Sequence, residues 1–159
     1  MRIEDATILQ ADGQNCFNVF DQSFGELVRT RVVTAQRSSN MPAIFARGRR
    51  LLLEDAIVES PAGVTNATLS VSGGELVAKR SFLGWSQILD GVLAVFENTR
   101  AFSIMAENSR LSGPLVLHPS MANFRQLVLQ NGSRGEFDEL TLFASYGEFP
   151  VSYTHLRAH

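Results

Sequence analysis

The sequence predicts an all-β chain whose short parallel strands stack into a solenoid, and two observations carry this prediction. Short apolar segments with alternating side chains recur about every 25 residues along the chain. No segment keeps apolar residues at the 3.6-residue spacing of a helix over about ten positions or more. A repeat of this length cannot bury its own apolar face, so it must stack on copies of itself.

Six repeats align on a first strand of a few apolar residues, and from Leu27 onward the steps between them are 24 to 26 residues. These first strands are centred on or begin at Ile3, Leu27, Leu51, Leu76, Phe102 and Leu127. A second strand recurs later in each repeat, beginning at Phe17, Ala43, Leu69, Leu93, Leu115 and Leu140. Gly, Asn, Asp and Ser between the strands, as in residues 72–74 and 131–135, favour tight turns.

Other β architectures explain the pattern less well. A leucine-rich repeat requires Leu-x-x-Leu-x-Leu-x-x-Asn, which no repeat contains. A left-handed hexapeptide helix requires a six-residue period, which is also missing. An antiparallel β-sandwich is the main alternative, because short strands with frequent turns describe it too. The regular step of 24 to 26 residues favours the parallel solenoid.

The repeat resembles one known superfamily. Coils near 25 residues with amide-rich corners, such as residues 127–132, are similar to those of the pectin-lyase-like right-handed parallel β-helices. The resemblance covers residues 1–149, and it implies a β-helix of about six coils. It also implies an extracellular or cell-surface location. Polysaccharide lyases of this superfamily use calcium-binding aspartates and a basic arginine, but their motifs do not match this chain residue by residue.

The last residues differ from the repeats. Residues 151–159 hold two of the three histidines and are similar to the translation of a transposase sequencing adapter. We therefore interpret residues 1–150 as a β-helix domain, truncated at one or both ends, and 151–159 as a non-native or disordered tail. Uncapped coils leave strand edges unpaired, so end-to-end self-association of this segment is expected.

Composition limits the classes of partner. The net charge is −2, from 14 basic and 16 acidic residues, which gives no electrostatic reason to expect nucleic acid. No apolar run reaches the roughly 20 residues that span a bilayer, and the first residues are not a signal peptide. A single cysteine, Cys16, excludes an internal disulfide and a zinc site of several cysteines.

A charged corner after the first strand is the main candidate for chemistry. The repeat alignment places one polar residue of each coil in this column: Asp5, Arg31, Asp55, Arg80, Asn108 and Asn131. Adjacent coils lie about 4.8 Å apart, so the alternating charges should form a ladder of ion pairs. The simpler interpretation is a solvated edge that sets register. The alternative is a glycan groove, in which Arg31 and Arg80 bind carboxylates and Glu54 or Asp55 acts as acid or base.

Further candidates are single residues. Glu107 lies in the same predicted column as Glu54, two coils away, at a separation compatible with paired carboxylates of a glycoside hydrolase. Trp85 follows Gly84 in a predicted turn, where it either stacks on a sugar or covers the edge of the core. His118, the only histidine before the tail, is interpreted as a corner residue.

Two functions are consistent with these features. The chain is expected to be a non-catalytic, structural or adhesive segment of a larger exported or surface protein that binds a polysaccharide or surface partner. The alternative is a polysaccharide lyase or glycoside hydrolase. No cofactor or metal site is predicted for the structural function, and calcium enters only with the lyase alternative.

Overall fold

The fold is all-β. A computed structural model describes residues 1–10, 15–34, 41–59, 67–118, 127–143, 150–153 and 156–157, and no helix occurs among them. The first ten strands are β1 (Arg2–Glu4), β2 (Thr7–Gln10), β3 (Phe17–Val19), β4 (Phe24–Val28), β5 (Arg31–Thr34), β6 (Ile44–Ala46), β7 (Arg50–Glu54), β8 (Ile57–Glu59), β9 (Leu69–Ser72) and β10 (Glu75–Lys79). The remaining strands are β11 (Phe82–Leu89), β12 (Leu93–Glu97), β13 (Thr99–Glu107), β14 (Arg110–Ser112), β15 (Leu115–Leu117), β16 (Leu127–Gln130), β17 (Arg134–Phe137), β18 (Leu140–Phe143), β19 (Pro150–Tyr153) and β20 (Leu156–Arg157).

The strands form two sheets that curl toward a half-barrel. The eight-stranded sheet has the order β1-β4-β7-β10-β12-β14-β17-β20. The twelve-stranded sheet has the order β19-β18-β15-β13-β11-β8-β5-β2, and a second row, β3-β6-β9, also joins it at β11. Strands of the two sheets alternate along the chain, so each parallel pair joins strands that belong to successive passes of the chain. The prediction of an all-β chain with parallel strands is confirmed, and no antiparallel pair occurs among β1 to β18.

The length of one pass is not uniform. Ile3 pairs with Leu27 and Leu27 with Leu53, which are steps of about 25 residues. The next steps are shorter, because Glu75 pairs with Leu93, and Leu93 with Arg110. Contacts across these passes join residues 18 and 17 positions apart. The single period near 25 is therefore wrong for the middle of the chain.

The shorter passes have a local cause. In the first three passes the strands of the twelve-stranded sheet are separate elements, such as β5 and β6, with a connecting segment between them. In the next two passes β11 and β13 run without a break across both rows of the sheet. One continuous strand replaces two strands and their connection, which removes seven or eight residues from the pass.

The core lies between the sheets and is built from residues that superpose from strand to strand. In the eight-stranded sheet, Leu27, Leu53, Ala78 and Phe96 occupy one paired column, and each is fully buried. The neighbouring residue in each strand points outward and is more exposed, as the alternation of β7 shows. Val32, Val58 and Leu83 form the corresponding buried column in the other sheet.

The last two strands pair differently from the rest. β19 and β20 run antiparallel to β18 and β17. Residues 154–155 and 158–159 of the segment predicted as a tail lie outside the described residues. The non-native origin of residues 151–159 stays a prediction.

Candidate functional site

A column of sharp corners connects the eight-stranded sheet to the twelve-stranded sheet. The residue after each of five successive strands has a positive φ between 46° and 53°, although none is glycine. These residues are Asp5, Arg29, Asp55, Arg80 and Asn98. The left-handed region is sparsely used by residues with a side chain, so this repeated geometry is a requirement of the fold. We call these five residues the corner column.

A buried hydroxyl supports several corners. Thr30, which follows Arg29, donates a hydrogen bond from Oγ1 to the carbonyl oxygen of Val28 at 2.9 Å. Ser81 makes the same bond to Lys79 at 2.8 Å. The hydroxyl satisfies a carbonyl group that the turn would otherwise leave without a donor. Side chain and backbone therefore fix the direction in which the residues of the corner column point.

The corner column carries two copies of one ion-pair arrangement. Arg29 donates from Nε and Nη2 to the two carboxylate oxygens of Asp5, at 2.7 and 2.8 Å, and also contacts Glu4. Arg80 donates in the same way to Asp55, at 2.8 Å for both bonds, and its Nη2 also reaches Glu54 at 2.8 Å. The shared pattern is Glu-Asp on one strand end and Arg on the next.

These contacts set the protonation of the column. Hydrogen bonds from Arg29 lower the pKa of the Asp5 carboxyl, and those from Arg80 lower the pKa of Asp55. The charge of Arg29 lowers the pKa of Asp55 further, so the ladder continues across the pair. In return, Asp55 and then Glu54 raise the pKa of Arg80. The side chains are about half exposed, which allows solvent to screen the attraction.

The arrangement favours paired, permanently charged groups over acid–base chemistry. A general acid or base works best when its pKa lies near the working pH. The pKa of Asp55 is lowered away from that range, and the pKa of Arg80 is raised away from it. A ladder of this kind can hold register between strands and can present charge to a partner.

The structure corrects the predicted membership of the column. Arg29, and not Arg31, follows Asp5 and precedes Asp55. Arg31 begins β5 in the other sheet, where its Nε donates to Glu59 at 2.6 Å. The alignment placed Leu27 beside Leu51, whereas the structure pairs it with Leu53. A slip of two residues keeps the same side chains facing inward, so the apolar pattern cannot detect it.

The last two predicted members of the column lie elsewhere. Asn108 and Asn131 end β13 and β16 of the twelve-stranded sheet, where they form a second corner with positive φ. Glu107 accepts hydrogen bonds there from Asn131 Nδ2 at 2.6 Å and from Gln130 Nε2 at 3.2 Å. Glu54 ends a strand of the eight-stranded sheet. Glu54 and Glu107 therefore do not share a column, and the predicted carboxylate pair loses its geometric basis.

The remaining candidates also take definite positions. Trp85 lies within β11, opposite Ser103, so its predicted place in a turn is wrong. Its side chain is half-buried, and its carbonyl oxygen accepts hydrogen bonds from Thr68. Burial, and then the charge of Arg100, lower the pKa of His118. Cys16 is half-buried against the core, and burial raises the pKa of its thiol.

Two residues of these clusters escaped the sequence analysis: Arg29 and Glu59. The sequence does contain a signal for Arg29, since the dipeptide Glu-Asp at residues 4–5 and 54–55 is followed by an arginine 24 or 25 residues later. Glu59 has no comparable signal, because its partner Arg31 was assigned to another column.

Within the described part of the chain, no group of three or more His, Cys, Asp or Glu side chains is placed to hold a metal ion. The same residues include no helix with the length and apolarity that crossing a membrane requires.

Comparison of the chain with protein-family models, with curated proteins and with solved structures found no match. Function is therefore argued from the geometry of the chain itself.

Proposed function

We propose that residues 1–150 are a segment of a right-handed parallel β-helix of about six coils. The parallel pairing of strands from successive passes supports this, together with the alternation of strands between two sheets. Parallel strands joined by a crossover are right-handed in about 98% of known cases, which supports the proposed hand.

The proposed role of this segment is structural or adhesive, within a larger exported or cell-surface protein. The observation that carries the proposal is the twofold use of the Glu-Asp and Arg arrangement in the corner column. Asp5 with Arg29, and Asp55 with Arg80, join one strand end to the next through bidentate hydrogen bonds. Bidentate pairs add geometric specificity, which suits a rod whose coils must stay in register.

Adhesion would use the exposed outer faces of the sheets. A rigid stack of coils presents side chains at a regular spacing of about 4.8 Å, which matches the needs of an extended partner such as a polysaccharide. The export and surface location belong to the proposal and follow from the resemblance to the pectin-lyase-like superfamily.

The competing function is cleavage of a polysaccharide. In that case Asp55 and Arg80 would supply the reacting or metal-binding groups, with calcium as the required ion. Their mutual pairing favours the structural role, because each group keeps the other fully charged.

The two functions are separated by incubating the protein with a soluble uronate polymer, with and without calcium, and following both binding and the formation of unsaturated products. The structural proposal predicts no turnover, whether or not the polymer binds. Calcium-dependent turnover that disappears in Arg80→Gln but persists in the control Arg100→Gln would overturn it. Arg100 is a suitable control because it is exposed and carries the same charge in the other sheet.

A further inference from the structure

Cations on the outer face of the eight-stranded sheet are neutralised by acids on the neighbouring strand. Arg2 contacts Glu26 at 3.3 Å, and Lys79 contacts Glu97 at 3.0 Å. Arg50 contacts Glu75, its direct partner across β7 and β10, at 3.2 Å. Opposite charges on paired strands stabilise a sheet, so this face follows a consistent rule.

Arg110 and Arg134 break that rule. They are direct partners across β14 and β17, in the same column that contains Arg50 and Glu75. Both are exposed, and neither forms an ion pair with any residue that the structure describes. Like charges directly opposite each other on adjacent strands are destabilising. The pair therefore has a cost that no described side chain offsets.

The two arginines line a groove of about 280 Å³ on this face. Leu93, the next residue of the column, contributes an apolar wall and is 52% exposed. Ser112 and Glu136, which pair with each other across the same two strands, complete the opposite wall. With one carboxylate and two guanidinium groups, the groove has a net positive charge.

We propose that this groove binds an oxyanion, either a carboxylate or a sulfate group, between the side chains of Arg110 and Arg134. Each guanidinium offers five N–H donors in a planar fork that matches such groups. An anion between the two arginines removes their repulsion, as Glu75 does for Arg50 earlier in the same column. Leu93 then contacts an apolar face of the molecule that carries the anion. The site depends only on this local geometry, so it extends beyond the structural role proposed above.

The test titrates the protein with sodium sulfate and, separately, with sodium acetate in the low millimolar range. Sodium chloride keeps ionic strength constant, because sulfate at high concentration stabilises proteins non-specifically. Binding is followed by calorimetry and by the NMR signals of the arginine Nε–H groups. We expect saturable binding of at least one anion, with shifts confined to Arg110 and Arg134. A preference for acetate identifies a carboxylate ligand, and a preference for sulfate identifies a sulfate ester.

Variants separate this site from general attraction. Arg110→Gln and Arg134→Gln are each expected to weaken binding by about tenfold or more, which is the scale of a lost charge-assisted hydrogen bond. Arg100→Gln removes the same charge elsewhere and should change binding less than about twofold. The proposal is overturned if neither anion binds, or if Arg100→Gln weakens binding as much as the other two variants.

A charge reversal provides an independent readout. Arg134→Glu places a carboxylate opposite Arg110, so it should abolish anion binding and raise the thermal midpoint of the ligand-free protein. Circular dichroism checks that the strand content is retained. A lower midpoint together with unchanged anion binding would contradict the proposed site.

Discussion

Two glycines allow the required corner geometry to be tested with one chemical change. Gly113 and Gly91 both have strongly positive φ, at 93° and 84°. A Cβ added at Gly113 would lie 2.0 Å from the carbonyl oxygen of Phe96 on the adjacent strand, whereas a Cβ at Gly91 would meet nothing within 4 Å. Substitution with alanine therefore imposes the same backbone cost at both positions, but a steric clash at only one.

The magnitudes follow from these two terms. A side chain in the left-handed region costs about 1–2 kcal/mol, which is the full expectation for Gly91→Ala. Gly113→Ala adds the displacement of a packed strand, at about 1–3 kcal/mol, for a total of about 2–5 kcal/mol. Alanine also restricts the unfolded chain, but this effect is equal for both variants and cancels in the comparison.

The assay is urea denaturation of both variants, followed by circular dichroism, with the slope compared to that of the parent protein. We expect Gly113→Ala to lose more free energy of unfolding than Gly91→Ala by about 1–3 kcal/mol. Equal losses would refute the close approach of Gly113 to Phe96, and with it the pairing of the two strands at this corner.

Three further predictions concern the core and the corner column. Leu53→Ala should lower the free energy of unfolding by about 2–5 kcal/mol, and the adjacent, half-buried Leu52→Ala by only about 1 kcal/mol, as measured by urea denaturation; similar losses would contradict the inward and outward assignment. Arg80→Gln should lower the thermal midpoint at low salt, and the difference from the parent should shrink in about 1 M sodium chloride, because solvent ions screen exposed pairs; a salt-independent difference would contradict an electrostatic cause. Acid titration should show stability falling as the pH drops below about 3.8, since Asp5 and Asp55 have a lower pKa in the folded state and the unfolded chain binds more protons there; Arg80→Gln should remove the part of this loss that Asp55 causes.

Much of the fold could be predicted because inward positions repeat the same kind of residue. Leu27 and Leu53 occupy one buried column, and the alternation of β7 marks which side faces the core. The predicted period then failed where β11 and β13 run without interruption. Gly84 and Trp85 resembled a turn in the sequence. Gly84 is instead tightly packed, because a Cβ there would lie 2.5 Å from Thr68 Oγ1.

The corner column could be predicted only in part. Asp55 and Arg80 were placed correctly because they follow two strands that pair with the expected step of 25 residues. Arg29 was missed because strand periodicity is insensitive to a slip of two residues. Arg110 and Arg134 were also missed, since their pairing depends on the shorter passes that precede them. Polar positions are therefore harder to align than apolar ones, because no burial constraint fixes their register.

The pairing of Glu75 with Leu93 is the most direct test of the parallel register, because a uniform 25-residue period would place Leu93 beside Leu69 instead. Both Glu75 and Leu93 are exposed, and adjacent strands hold paired Cα atoms at about 4.8 Å, within the range of a disulfide. In a Cys16→Ser background, we would oxidise Glu75→Cys with Leu93→Cys, and separately Leu69→Cys with Leu93→Cys. Mass spectrometry of the denatured proteins should show an intramolecular disulfide in the first variant and not in the second. A disulfide in the second variant alone, or in neither, would contradict the stacked parallel arrangement described for this chain.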